Sequence, residues 1–136
     1  NDLMDGLQVG IGMGDKAGAT VTTDQDHSTM WAKYTTGPAT LGIQVSKIDN
    51  TLTTSDEDRN HIAASFAVNE NLSVSYGLST VEFGDTTKSD EDSAGFSASY
   101  TMGSITIGAV HNTTEAVAGT STDDDSFTEV AVTFAF

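Results

Sequence analysis

The chain has 136 residues and carries 20 acidic against 5 basic side chains, a formal net charge of −15. That balance excludes a nucleic-acid surface, which needs clustered Lys and Arg to neutralise phosphates, and the absence of cysteine excludes a disulfide framework and a thiolate metal site. With 37% hydrophobic residues and no run near the ~20 apolar residues of a membrane helix, composition alone suits a soluble or even a disordered chain.

Taken in chain order, periodicity says something else. The opening Asn1-Asp-Leu-Met-Asp-Gly6 reads as a turn inside a longer pattern, and no signal peptide precedes it, so the chain is expected to be a processed protein or part of a longer one. Gly6-Leu-Gln-Val-Gly-Ile-Gly-Met13 then places Leu7, Val9, Ile11 and Met13 on one face, with Gln8 and glycines on the other. The same alternation recurs at roughly 28–36, 39–48, 61–68, 72–81, 93–101, 104–111 and 126–136. Its apolar members run from Met30, Ala32 and Tyr34 through Leu41, Ile43 and Val45 to Val130, Val132 and Phe134. A period of two means a strand with unlike faces, because successive side chains point to opposite sides. Segments of this length suit a tilted strand crossing a bilayer, about 9–11 residues. Eight antiparallel strands are expected, and no helical pattern competes.

The connections alternate between short and long. Gly37-Pro38, Asn69-Glu70-Asn71 and Met102-Gly103 are tight turns, whereas residues 14–27, 49–60, 82–92 and 112–125 read as long polar loops. Met4, Gly37, Glu70, Gly103 and Phe136 lie 33 residues apart, so the repeating unit is a hairpin. Sixteen of the twenty acids fall in or beside the long loops, and the members named for the apolar faces include no charged residue. That division fits strands whose outer face meets lipid, where a mid-bilayer Lys or Arg costs about 2–4 kcal/mol. Within the expected strands, Lys33 and Glu129 are the charged members of the opposite, polar face.

With these features in place, the chain resembles the C-terminal part of a Gram-negative outer-membrane porin, in the style of alphaproteobacterial general-diffusion porins. The resemblance rests on Glu129-Val-Ala-Val-Thr-Phe-Ala-Phe136 and on Tyr100-Thr-Met-Gly-Ser-Ile-Thr-Ile-Gly108, and it covers essentially the whole chain. It implies that Phe134 and Phe136 belong to a last-strand signal read by the barrel-assembly machinery. It also implies a homotrimer in outer-membrane lipid and lipopolysaccharide, with the long loops extracellular. Tyr34, Tyr100, Phe134 and Phe136 then read as an aromatic girdle at the short-turn end.

Sixteen of the 26 inward positions are Gly, Ala or Ser, too small to fill an eight-stranded lumen. The expected fold is therefore all-β: an antiparallel transmembrane barrel segment over residues 1–136, half of a roughly 16-stranded porin with no separate soluble domain. A complete eight-stranded barrel acting as adhesin, anchor or receptor is the alternative. The expected function is passive diffusion of small hydrophilic solutes, with Gln8, Lys33, Gln44, Ser65, Ser75, Ser97, Thr106 and Glu129 lining the pore.

Other chemistries are weaker. Carboxylates at Asp56 and Asp58, and at Asp90 and Asp92, could gather round Ca²⁺, but none continues into a calcium-loop motif, so a solvated acidic surface is the leading expectation and no cofactor is required. His27, His61 and His111 lie near the long-loop end, yet no spacing with Ser28, Ser93 or the acids forms a triad, and no enzymatic activity is expected. A soluble β-sandwich, in which the apolar faces pack into a dry core, is the remaining rival.

Overall fold

The computed structural model describes residues 4–17 and 24–135. It contains eight strands: β1 (Leu7–Lys16), β2 (Gln25–Thr36), β3 (Ala39–Asn50), β4 (Glu57–Ala67), β5 (Leu72–Phe83), β6 (Glu91–Met102), β7 (Ile105–Glu115) and β8 (Asp125–Phe134). They form one antiparallel sheet in sequence order. Each strand pairs with its chain neighbours, so every connection is a hairpin. Among the described residues β1 and β8 do not pair with each other, and the sheet is open at both edges.

Local sequence explains the tight turns. Thr36 pairs with Ala39 across Gly37-Pro38, and Met102 pairs with Ile105 across Gly103-Ser104. The first residue of each two-residue link has positive φ, 54° at Gly37 and 61° at Gly103, which glycine adopts without a Cβ clash. The turn between β4 and β5 uses another device. The Asn69 side-chain oxygen accepts from the backbone N–H groups of Asn71 and Leu72, both at 2.9 Å.

Register aligns like with like. On one face Leu7 stands opposite Tyr34, Ile43 opposite Ile62, Tyr76 opposite Phe96, and Ile107 opposite Val132. A one-residue slip anywhere would bring apolar side chains to the polar face. Among the described residues this sheet has no partner layer and no core. Ala116, in a connecting loop, is the one buried hydrophobic residue among those described, while Ile11, Ile43, Phe66, Tyr76, Phe96 and Val132 are exposed. The exposed surface is 9423 Å². A compact soluble monomer of this mass would expose about 6,800 Å². The dry core required by a β-sandwich is therefore missing from the described residues.

The strands run further toward the long-loop end than alternation of apolar residues suggests. The expected loops 14–27, 49–60, 82–92 and 112–125 shrink: the first lies between Lys16 and Gln25, and the others become 51–56, 84–90 and 116–124. Ladder hydrogen bonds need only backbone, so pairing continues past the apolar band into segments where both faces are polar. Two of these loops pack on each other. The Ser89 N–H donates to the Gly119 carbonyl at 3.0 Å, and Lys88 lies 4.4 Å from the Phe83 ring centroid. The Ala118 N–H reaches the Glu91 carboxylate at 2.7 Å.

Candidate functional site

The polar face is the chemically distinctive surface. Alternation puts Gln8, Lys33, Gln44, Ser65, Ser75, Ser97, Thr106 and Glu129 on it, all opposite in parity to the apolar positions. The register groups some of them. Thr40, Ser65, Ser75, Ser97, Val110 and Glu129 are successive cross-strand partners and form one row over β3–β8. Gln8 stands directly opposite Lys33. Gln44 lies between Trp31 and His61, and Thr106 between Thr101 and Thr133, each in a row of its own.

Hydroxyl groups bridge neighbouring strands across this face. Ser75 and Ser97 are 2.7 Å apart, Thr29 and Ser46 2.9 Å, Ser93 and Thr114 3.0 Å, Thr101 and Thr106 3.0 Å, and Thr35 and Thr40 3.1 Å. Each hydroxyl both donates and accepts, so a pair satisfies one bond internally and keeps further bonding capacity for water. The resulting wall is wettable and short-chained. Where bulk does appear, it lies flat: a Cβ at Gly10 would come within 2.4 Å of the Trp31 ring, so glycine is what lets the indole lie across β1.

The longer strands correct one expectation. Lys33 and Glu129 are not the sole charged positions of the polar face, because Lys16, Glu57, Arg59, Glu91 and Asp125 also lie within strands at the same parity. The signal was present: Arg59 and His61 continue the parity of Ala63 and Ser65 by two further steps. Alternation was not followed there because Glu57-Asp-Arg-Asn60 is polar on both faces, and a polar run reads as loop.

The histidines divide. His27 and His61 project to the polar face; His111 shares the parity of Ile107 and Ala109, and its Nδ1 lies 2.8 Å from the Thr128 hydroxyl. Among the described residues, no side-chain hydrogen bond joins His27, His61 or His111 to a carboxylate.

The calcium candidates separate as well. Asp58 sits on the apolar-parity side, 3.7 Å from the Lys47 ammonium, which also contacts Asp49 at 3.3 Å. Asp92 accepts from the Thr80 hydroxyl at 2.7 Å, and Asp56 from the Asn50 N–H at 2.6 Å. Among the described residues no group of three or more acidic or histidine side chains is arranged to hold a metal ion. The girdle positions Tyr34, Tyr100 and Phe134 share the apolar-parity face at the short-turn end, opposite Leu41, Ile107 and Ile105 respectively. Phe136 lies outside the described residues.

Comparison with known proteins agrees with this architecture. The family profile described as Gram-negative porin matches residues 2–136. A solved porin structure, refined at 1.8 Å, superposes with a TM-score of 0.78 at 21% sequence identity. The alignment covers 96% of this chain and 48% of that porin, so the chain spans about half the length of the structure it matches. Comparison with curated proteins finds no match. The fold is that of the matched porin, and the family profile spans nearly the whole chain, which therefore belongs to the Gram-negative porin family.

Proposed function

We propose that this sheet is one part of the wall of a passive diffusion channel for small hydrophilic solutes. The observation that carries the reading is a single layer with two unlike exposed faces and no core. Lipid accommodates the apolar face and water the polar one. Free strand edges are not tolerated in hydrocarbon, because each unpaired N–H and C=O there costs several kcal/mol. The edges of β1 and β8 therefore need partner strands. We infer closure into a barrel of about 16 strands, in keeping with the share of the matched porin that this chain spans. The open sheet disfavours the complete eight-stranded alternative.

In this reading Gln8, Lys33, Gln44, Ser65, Ser75, Ser97, Thr106 and Glu129 line the pore, and the long loops face the outside of the cell. Lipid and lipopolysaccharide surround the apolar face, a homotrimer is the assembled form, and Phe134 with Phe136 is the segment read by the assembly machinery. Reconstitution of the full native protein into planar bilayers tests the channel. Large, ohmic conductance steps are expected, with steady uptake of small sugars in liposome-swelling assays. A correctly inserted protein without steps would reject the proposal.

A further inference from the structure

A chain of net charge −15 would be expected to line a cation-preferring channel. The register says otherwise for half of this wall. On the polar face of β1–β3 there is no carboxylate at all, and on β4 there is only Glu57. Basic groups, in contrast, climb the same four strands one step at a time. Lys33 occupies the first level. His61 is next, joined through Gln44 to Trp31. Arg59 follows, joined through Ser46 to Thr29. His27 comes above it, and Lys16, opposite Gln25, completes the series. Measured on β2 these are positions 33, 31, 29, 27 and 25, so a basic group stands at every second residue, roughly 7 Å apart along the strand. All five side chains are exposed.

Two further observations suit a ligand rather than a chance arrangement. The middle three rungs border a depression of about 530 Å³ whose floor includes Gly12, Gly14, Thr29 and Ser46. Glycine leaves room there, and the Thr29 and Ser46 hydroxyls, bonded to each other at 2.9 Å, make the floor polar. The remaining polar-face carboxylates, Glu91, Asp125 and Glu129, lie on β6 and β8, away from the basic strands. Glu57 bonds the Arg59 guanidinium through one amino group, and the other N–H groups of that fork stay available.

We propose that β1–β4 carry a stepwise track for small anions, such as inorganic phosphate or short carboxylates, running from near the short-turn end to the long-loop mouth. The Arg59–His61–His27 depression is its main resting station. This rests on the polar face being the wall of an open channel. Cations alternating with imidazole side chains at short spacing hold an anion at each step without trapping it. The acids of the loops and outer face set the net charge without entering the track.

The test uses the full native protein in planar bilayers under a potassium chloride gradient. In the double variant Arg59→Gln, His61→Gln, the chloride-to-potassium permeability ratio is expected to fall roughly threefold, since removing wall charge weakens the local anion potential. Glu115→Gln, at an apolar-parity position of β7 and outside that depression, should leave the ratio unchanged. Inorganic phosphate should reduce the chloride conductance of the native channel and have less effect on the double variant. If the double variant does not form channels, Gln44→Lys, which adds a cation on the His61 rung, should raise the ratio. Open channels whose ratio and phosphate response ignore these substitutions, or follow Glu115→Gln equally, would overturn the track while leaving the channel standing. Absence of native conductance would remove the channel itself.

Discussion

Adjacent residues of one strand should respond very differently to the same substitution. Ile43 and Gln44 are neighbours on β3, but Ile43 faces Ala32 and Ile62 on the apolar side while Gln44 faces Trp31 and His61 on the polar side. Ile43→Lys is expected to destabilise the lipid-inserted fold by about 2–4 kcal/mol, because the ammonium would sit in hydrocarbon. Gln44→Lys should cost far less, since water reaches it. Equilibrium guanidinium unfolding in lipid vesicles separates the two. A second residue-scale prediction concerns Asp85. Hydrogen bonds from the Thr87 hydroxyl at 2.7 Å and the Thr87 N–H at 2.9 Å hold its carboxyl below the ordinary value, with the nearby Lys88 charge adding to the effect. A depressed carboxyl contributes order above its unfolded pKa and loses it as pH falls through the folded pKa. Thr87→Val should therefore move the Asp85 titration upward, read by carbon NMR on the protein in micelles.

At the scale of elements, the turns and the loop pair are the sensitive points. Gly103→Val forces a β-branched side chain into φ near 61°, a strain of about 1–2 kcal/mol. Slower or less complete refolding into vesicles than for the native protein is the expected readout. The loop 116–124 is tied down by the Glu91 carboxylate accepting from the Ala118 N–H, and by the Ser89 to Gly119 bond. Ala116 and Ala118 both hold φ of 53°, a left-handed conformation that alanine keeps when its surroundings impose it. Glu91→Ala should speed proteolytic cleavage within 116–124 several-fold while leaving the strands protected. The existence and face of every strand were legible in the sequence, because alternation is a local property of consecutive residues. Their upper ends were not. Segments such as Glu57-Asp-Arg-Asn60 have no apolar member to mark a face, and their strand state comes from pairing with Lys47, Ile48 and Phe83, which are distant in sequence.

For the whole molecule, the dominant fact is that nothing large is buried. An exposed apolar face of this extent, with Ile11 at 75% and Val130 at 67% exposure, has no stable home in water. Diluting the protein out of detergent should give aggregation by light scattering, and lipid vesicles added beforehand should prevent it. A clear monomeric solution would contradict the membrane reading.

The sequence by itself determined that two unlike faces exist, that hairpins repeat, and that charge stays out of the apolar band of one face. Each follows from neighbours along the chain. Only the tertiary structure decided which residues share a row, because strand partners lie far apart in the chain and their alignment is a property of the pairing. That alignment put Ser65, Ser75, Ser97 and Glu129 side by side, set Arg59 in a row with Thr29 and His61 in a row with Trp31, and separated the basic strands from the acidic ones of the polar face. Composition cannot predict such a division, since net charge sums over all surfaces and the pore experiences only the one it faces.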